Sequence, residues 1–389
     1  MIATSERIHI ALFGRCNSGK SSLFNALAGQ EFVIVSELAG TTTDPVSKAI
    51  ELPGIGASVL IDTAGLDDNS ELGRMRVLQT QRVLDKTDIA ILLFTPDGDF
   101  SIEIELLEEL KLREIPVLLV VSKAELIIDD AIRNHISSVC GEAPLLVSAK
   151  TLVGVDNLIE SIAQKCVKEE RLITDGVCNA GDLVLLVMPQ DTQAPKGRLI
   201  KPQVEVLREL LDRGCRAMCC TTDGLSAALA SLSSPPKLII TDSQVFSEVS
   251  KLKPNGTELT SFSILFARYK GDIDLFTEGA KRLDNLTATS RVLIAEACTH
   301  VPQHEDIGRV KLPRLLRQKV GEGLTIDIVG GADFPEDLSQ YDLVIHCGAC
   351  MFTRRHVMNR VSKARRQGVS ITNYGLILAQ LLKQKHEAI

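Results

Sequence analysis

The sequence predicts an α/β protein built from three units, and three observations carry that prediction. In residues 1–172 and again in 263–389, short apolar strands alternate with longer amphipathic stretches, the texture of a mainly parallel sheet joined by crossover helices. A phosphate-loop pattern falls where the first strand meets the first helix. Between these segments, residues 173–262 change character, with Gly and Pro clusters around two strand-like runs. A small mixed α/β unit is expected there.

In the first unit, strands are expected near 7–13, 57–61, 88–94, 116–121 and 144–147, with helices near 20–28, 71–86, 101–113, 127–138 and 154–168. The middle unit offers the runs DLVLLVMP and PKLIITD around a helix near 202–213. It contains no recognisable catalytic constellation, and an intersubunit contact suits it. Its Cys215, Cys219 and Cys220 look superficially like metal ligands, but the spacing lacks paired knuckles, and free cysteine is commonly a small buried residue. The third unit should hold strands at 261–267, 290–297, 324–330, 341–346 and 368–373, with helices near 273–284, 308–319, 353–366 and 376–385. Ligand sites in such sheets lie beyond the carboxyl ends of the strands.

At 389 residues, with 45% apolar and 24% charged side chains, the chain is long enough for several cores and ordinary for a globular protein. A formal charge of -7 argues against a general nucleic-acid surface, which needs clustered Lys and Arg. The basic run Arg354, Arg355, Arg360, Lys363, Arg365 and Arg366 reads as a solvated helix face, with a dock for an acidic protein partner as the sharper alternative. The opening MIATSERIHIALFG is interrupted by polar residues too often for a signal peptide, and no run reaches the length of a membrane span. A cytoplasmic location is therefore expected. Ten cysteines in that reducing compartment are not expected to form a disulfide framework.

Gly14-Arg-Cys-Asn-Ser-Gly19-Lys20-Ser21 matches the full G-x4-G-K-S pattern after the strand IHIALF and before the helix that begins at Ser22. Backbone amides from Gly14 to Ser22, with Asn17 and Ser18 inside the loop, can cradle the phosphates. Lys20 can reach the β and γ oxygens, and Ser21 can place its hydroxyl on magnesium. Asp62-Thr-Ala-Gly65 follows another apolar strand. Asp62 suits a water-mediated contact with magnesium, and the Gly65 amide can sense the γ-phosphate. Upstream, Gly40-Thr41-Thr42-Thr43-Asp44 offers a hydroxyl for magnesium, with Thr42 the choice and Thr41 and Thr43 close rivals. These residues make a GTPase the reading, with Lys20, Thr42, Asp62 and Gly65 closest to the chemistry.

Ser122-Lys123-Ala124-Glu125 after PVLLVV, and Ser148-Ala149-Lys150 after LLV, form the expected base-selecting segments. A carboxylate accepts the guanine ring NH and amino group, donors that adenine does not present on that edge. Here the chain resembles the translation-factor and Ras-like GTPase class but departs from its Asn-Lys-x-Asp pattern. Ser122 is shorter than Asn, and Glu125 is one methylene longer than Asp. Leu66 stands where many signalling GTPases carry a water-orienting Gln, and its side chain cannot bond water. Catalysis must then use backbone, a bound ion or another protein group. Asn17 is similar to its counterpart in potassium-activated tRNA-modification GTPases, which implies K+ beside the phosphates; the alternative is that Asn17 only braces the loop.

Cys298-Thr-His300 follows the strand VLIAEA, and His346-Cys347-Gly-Ala-Cys350 follows LVI. Parallel strands can bring both ends together. The Cys347 and Cys350 spacing lets two thiolates face one metal, and Gly348 relieves crowding. Zinc held by Cys298, Cys347, Cys350 and His300 fits. So does a [4Fe-4S] cluster on the same thiolates, its last iron open to His300, His346, a carboxylate or an exchangeable ligand. Spacing leaves these open, together with a redox thiol pair or plain packing. His304 reads as a surface or loop side chain.

Taken as a whole, the chain resembles the maturation GTPases of [FeFe]-hydrogenase, the HydF family. The resemblance covers nearly all of it: an N-terminal GTPase, a middle dimerisation domain, and a C-terminal domain carrying Cys-x-His and a distant His-Cys-x-x-Cys. It implies a [4Fe-4S] cluster on Cys298, Cys347 and Cys350 with a labile fourth position, in an iron-sulfur-cluster domain. It further implies a homodimer that scaffolds a diiron precursor bearing carbonyl, cyanide and a dithiolate. The implied partners are two radical-SAM maturases and the apo-[FeFe]-hydrogenase. A rival reading is a GTP-dependent RNA-associated factor whose zinc domain is structural, which the acidic charge disfavours.

Overall fold

The computed structural model of the protein describes residues 7–29, 34–37, 46–66, 80–96, 99–127, 130–166, 171–189, 199–297, 307–331, 333–349 and 352–381, the strand at 34–37 by its backbone alone. The chain divides into two compact units, Met1–Glu169 and Glu170–Ile389.

The first unit is built on a seven-stranded sheet of β1 (Ile8–Phe13), β2 (Ile34–Glu37), β3 (Val46–Leu52), β4 (Gly56–Asp62), β5 (Ile89–Phe94), β6 (Val117–Val121) and β7 (Leu145–Leu146). The order across the sheet is β2-β3-β4-β1-β5-β6-β7. β4, β1, β5, β6 and β7 run parallel, while β3 runs antiparallel to both β2 and β4. The central strands are apolar at consecutive positions because both faces are covered. Ile10 and Leu12 pack with Leu23, Phe24 and Leu158 on one side, whereas Ala11 and Phe13 pack with Leu106 and Leu110 on the other. The β3 strand was not expected: Val46 is exposed and Lys48 and Glu51 interrupt the apolar run, so its pairing with β2 and β4 defines it. Of the helix expected at 71–86, residues 71–79 lie outside the described residues; 80–86 are helical.

The second unit contains two four-stranded sheets, ordered β11-β10-β8-β9 and β13-β12-β14-β15. The strands are β8 (Leu183–Val187), β9 (Arg216–Cys220), β10 (Leu238–Thr241), β11 (Glu258–Ser261), β12 (Arg291–Ala295), β13 (Thr325–Val329), β14 (Leu343–His346) and β15 (Ser370–Asn373). Every pairing in both sheets is parallel.

One element overturns its expectation. Residues 261–267 were expected to form a strand, but Phe262–Lys270 is an α-helix. Ser261 caps it, its Oγ accepting the Ile264 amide at 3.4 Å. Phe262, Leu265 and Phe266 enter the core with Val184, Leu186 and Leu238, while Ile264 and Ala267 enter the core with Leu293, Val344 and Leu376. Phe262, Ile264, Leu265, Phe266 and Ala267 are buried with Ser263 alone interrupting them, so the run shows almost no polar face to mark a helical period and reads as a buried strand.

Candidate functional site

The phosphate loop leaves β1 at Gly14 and enters the Lys20–Ala28 helix. Gly14 has φ +154, and a Cβ there would lie 2.9 Å from the Leu93 carbonyl oxygen, so only glycine fits without a shift. Asn17 is exposed with a left-handed backbone, φ 60. Lys20 is buried and donates to the carbonyls of Gly14 at 2.9 Å and Arg15 at 2.6 Å, which holds its ammonium over the loop. Ser21 and Ser22 are exposed at the helix start.

Asp62 closes β4 beside this loop. Ser21 Oγ donates to Asp62 Oδ2 at 2.6 Å. Asp62 Oδ1 and Ser18 Oγ are buried with no protein partner among the described residues. A hydroxyl, a carboxylate and an oxygen still to be satisfied are hard oxygen donors of the kind magnesium takes. Gly65 backs against the loop, and a Cβ on it would sit 2.7 Å from the Cys16 nitrogen. The next amide, Leu66, donates to Gly14 O at 3.2 Å. The Leu66 side chain packs at the edge of the core around Phe94 and Leu106. Thr42 lies outside the described residues.

The residues expected to select the base follow the carboxyl ends of β6 and β7, the same end of the sheet as the phosphate loop. Ser122 Oγ donates to Ser18 O at 2.6 Å, tying the loop after β6 to the phosphate loop. Lys123 has φ 54, and the following Ala124 amide donates to Val147 O at 3.2 Å. Glu125 is held below its usual carboxylate range, chiefly by a hydrogen bond from Ser148, with Lys150 and Lys123 adding charge. Ser148 is itself buried, and its Oγ accepts the Thr151 amide at 3.1 Å. Ala149 packs at the edge of the core. Sequence reasoning missed Arg15, whose Nε meets both oxygens of the buried Glu103 at 3.1 Å. The acidic residue on an otherwise buried helix face was the available signal.

In the second unit, β12 and β14 are neighbours with Ala295 opposite His346, so the ends that precede the two cysteine clusters lie side by side. Cys298, His300 and Cys350 lie outside the described residues. Cys347 is described, and its Sγ accepts the amides of Ala297 at 3.0 Å and Ala349 at 3.4 Å. Those are the residues directly before Cys298 and Cys350. His346 is buried. Its Nδ1 faces Cys347 O at 2.8 Å, and its Nε2 faces Arg360 Nη1 at 3.0 Å. Burial, reinforced by the Arg360 charge, pushes the His346 pKa down to about 3. Among the described residues no group of three or more His, Cys, Asp or Glu is placed to hold a metal.

Three buried charged groups near this turn were missed or misread. Arg360 belongs to the basic run read as solvated, yet it is 3% exposed. It lies on the face that also carries the buried Val357, Val361 and Ala364, a helical spacing that was the available signal. Lys270 is buried and donates to Ala349 O at 3.0 Å and Phe352 O at 2.9 Å. Glu296 is buried beside Ala297, and Arg309 Nε donates to its Oε2 at 2.9 Å. Among the middle-unit thiols, Cys219 is exposed, while Cys215 is buried 3.9 Å from Cys178 and pushed up to about 11 by burial and by that neighbour.

Comparisons with known proteins follow this division. Residues 9–123 match the 50S ribosome-binding GTPase family, 172–271 the hydrogen maturase F dimerization domain, and 274–385 the hydrogen maturase F tetramerization domain. The tRNA modification GTPase MnmE of Prochlorococcus marinus (strain NATL1A) is 36% identical over 162 residues, 41% of this chain and 34% of that protein. That of Polynucleobacter asymbioticus is 38% identical over 161 residues, 40% of this chain and 34% of that protein. The chain therefore spans about a third of the length of these curated relatives. Among solved structures, an Aquifex aeolicus Era variant bound to GDP.AlF4- overlaps with a TM-score of 0.36 at 19% identity, covering 55% of this chain and 92% of that one. The G domain of the T. maritima FeoB iron transporter overlaps with a TM-score of 0.31 at 26% identity, covering 41% and 99%. Among the described residues no helix is long and apolar enough to cross a membrane. A P-loop GTPase domain followed by the two hydrogen maturase F domains is thus the architecture of this chain, consistent with a HydF-family GTPase.

Proposed function

We propose that the protein is a GTP-hydrolysing scaffold that holds a [4Fe-4S] cluster and a diiron precursor and delivers the precursor to apo-[FeFe]-hydrogenase. In this reading it works as a homodimer, and two radical-SAM maturases supply the precursor. The observation that carries the distal half is the sulfur of Cys347, on which two backbone amides converge. Amides aimed at sulfur suit a thiolate far better than a thiol, and hydrogen bonds to cysteine sulfur tune iron-sulfur centres. Cys298, Cys347 and Cys350 would hold the cluster, and an iron left open by a three-cysteine set would offer the precursor an anchoring position. The matched dimerization domain supports the homodimer, and the two hydrogen maturase F domains support the choice of client.

In the GTPase half, the loop amides and Lys20 bind and orient the phosphates. Ser21 and Asp62 would hold Mg2+, which supplies charge neutralisation on the phosphate oxygens. The exposed Asn17, on its left-handed backbone, supports a K+ contact beside the loop. Glu125, its carboxyl held below the usual range chiefly by the hydrogen bond from Ser148, accepts the guanine donors. Thr42 and the 62–66 segment would rearrange with nucleotide state, a switch that reports hydrolysis to the distal domain.

The test is an electron paramagnetic resonance spectrum with iron and sulfide counts on protein reconstituted anaerobically, beside the Cys298/Cys347/Cys350→Ser triple variant. The expected result is a reduced [4Fe-4S] signal at about four irons per chain, lost in the variant. A wild-type chain without a cluster sinks the reading. Stoichiometric zinc instead would favour an RNA-associated GTPase with a structural metal domain. That second reading draws on the likeness of the first unit to tRNA modification GTPases.

A further inference from the structure

We propose that Lys270 and Arg360 form a pair of buried cations that brace the Cys347 turn and offset the negative charge of the centre it carries, with His346 as a neutral positioning residue and not a metal ligand. The proposal rests on the reading that Cys347 binds a [4Fe-4S] cluster.

A guanidinium stays charged at any working pH and can only donate hydrogen bonds. Arg360 Nη1 lies 3.0 Å from His346 Nε2, so that nitrogen must be the acceptor. The ring proton is then on Nδ1, where it donates to Cys347 O at 2.8 Å. Both nitrogens are thereby engaged, and freeing one for a metal would break either the Arg360 or the Cys347 contact. The guanidinium is fixed by more than this bond: its Cζ lies 4.7 Å from the ring centroids of both Phe334 and Phe352, and Nη2 donates to Gly331 O. A cation between two ring faces is held firmly in place.

Lys270 approaches the same turn from the Phe262–Lys270 helix. Among the described residues, Ala349 O and Phe352 O turn toward the ammonium, while the Ala349 amide points at the Cys347 sulfur. Ala349 holds φ 53 in that turn. The nearby carboxylate of Glu296 is engaged by Arg309. A cluster on three thiolates is anionic, and more so when reduced. Two buried cations held beside the turn would stabilise the reduced form, because charge interactions are strong where water is excluded.

The experiment is an EPR-monitored redox titration of the full reconstituted chain, comparing Lys270→Met and Arg360→Met with Lys270→Arg and Arg360→Lys. Each methionine variant is expected to lower the reduced-to-oxidised ratio at a fixed potential about tenfold, about 59 mV for one electron, and the charge-keeping variants to restore most of it. In a parallel measurement, His346→Gln should leave the nitrogen hyperfine couplings of the reduced cluster unchanged. Methionine variants with full iron and the wild-type potential overturn the proposal, as does an imidazole coupling that vanishes in His346→Gln. If a methionine variant cannot hold iron, a charge-keeping variant with a strongly shifted potential overturns it instead. A wild-type chain that takes up no cluster is a different result, since it removes the scaffold reading itself.

Discussion

Ser122 illustrates how a shorter side chain can take over a structural duty. Its hydroxyl reaches the Ser18 carbonyl at 2.6 Å, so the loop after β6 still grips the phosphate loop. Removing it in Ser122→Ala should weaken GDP binding about fivefold to tenfold, the ~1 kcal/mol of a net hydrogen bond; unchanged affinity by calorimetry would make the bond incidental. Glu125 is the base-reading carboxylate of the proposed mechanism. Replacing it with an amide in Glu125→Gln should lower affinity for GTP and raise it for xanthosine triphosphate, whose ring carbonyl matches the new amino donor. Competition binding decides this, and equal loss of both nucleotides would remove Glu125 from base selection. His346 carries a pH signature in the metal-free chain. Its folded pKa of about 3 lies below the ordinary 6.5, so the unfolded state binds the proton first. Stability should be full above pH 6.5 and fall by up to about 1.4 kcal/mol per pH unit as pH drops from there toward 3. Denaturant titrations of wild type and His346→Gln would reveal it, the variant showing the shallower slope.

At the level of elements, the Phe262–Lys270 helix is the main surprise. Phe266 is 2% exposed and sits in the core of the middle sheet, while its helical neighbours Ile264 and Ala267 sit in the next core. Phe266→Ala should cost about 3–5 kcal/mol and loosen both sheets together, visible as matched losses of hydrogen-exchange protection in β8 and β12. Protection lost in β8 alone would mean the helix does not couple them. The same helix explains where the sequence was hard to read. The phosphate loop was legible because its working residues are consecutive between a strand and a helix, as were the β12 and β14 ends before the cysteines. With five of its first six side chains apolar, this helix leaves little period to detect. Lys270 and Arg360 look like surface charge until the fold surrounds them, although the spacing of Arg360 with Val357 and Ala364 was visible. Ser122 was read as a departure from a pattern, since only the fold brings Ser18 within its reach.

For the molecule as a whole, the division into 1–169 and 170–389 predicts two unfolding transitions with different ligand responses. GDP at a hundredfold excess over Kd should stabilise the first by about 2.7 kcal/mol and leave the second in place; calorimetry showing both transitions moving together would mean the units unfold as one. The second unit has no such seam inside it. The matched dimerization and tetramerization regions meet between residues 271 and 274, directly after a helix whose side chains fill the cores of both sheets. Heredity feels that arrangement: a gene rearrangement cut at this junction would pass on one module with its partner's half of the helix face bare to water. Lineages should therefore keep these two modules together or lose both, while the nucleotide-binding module remains free to be exchanged.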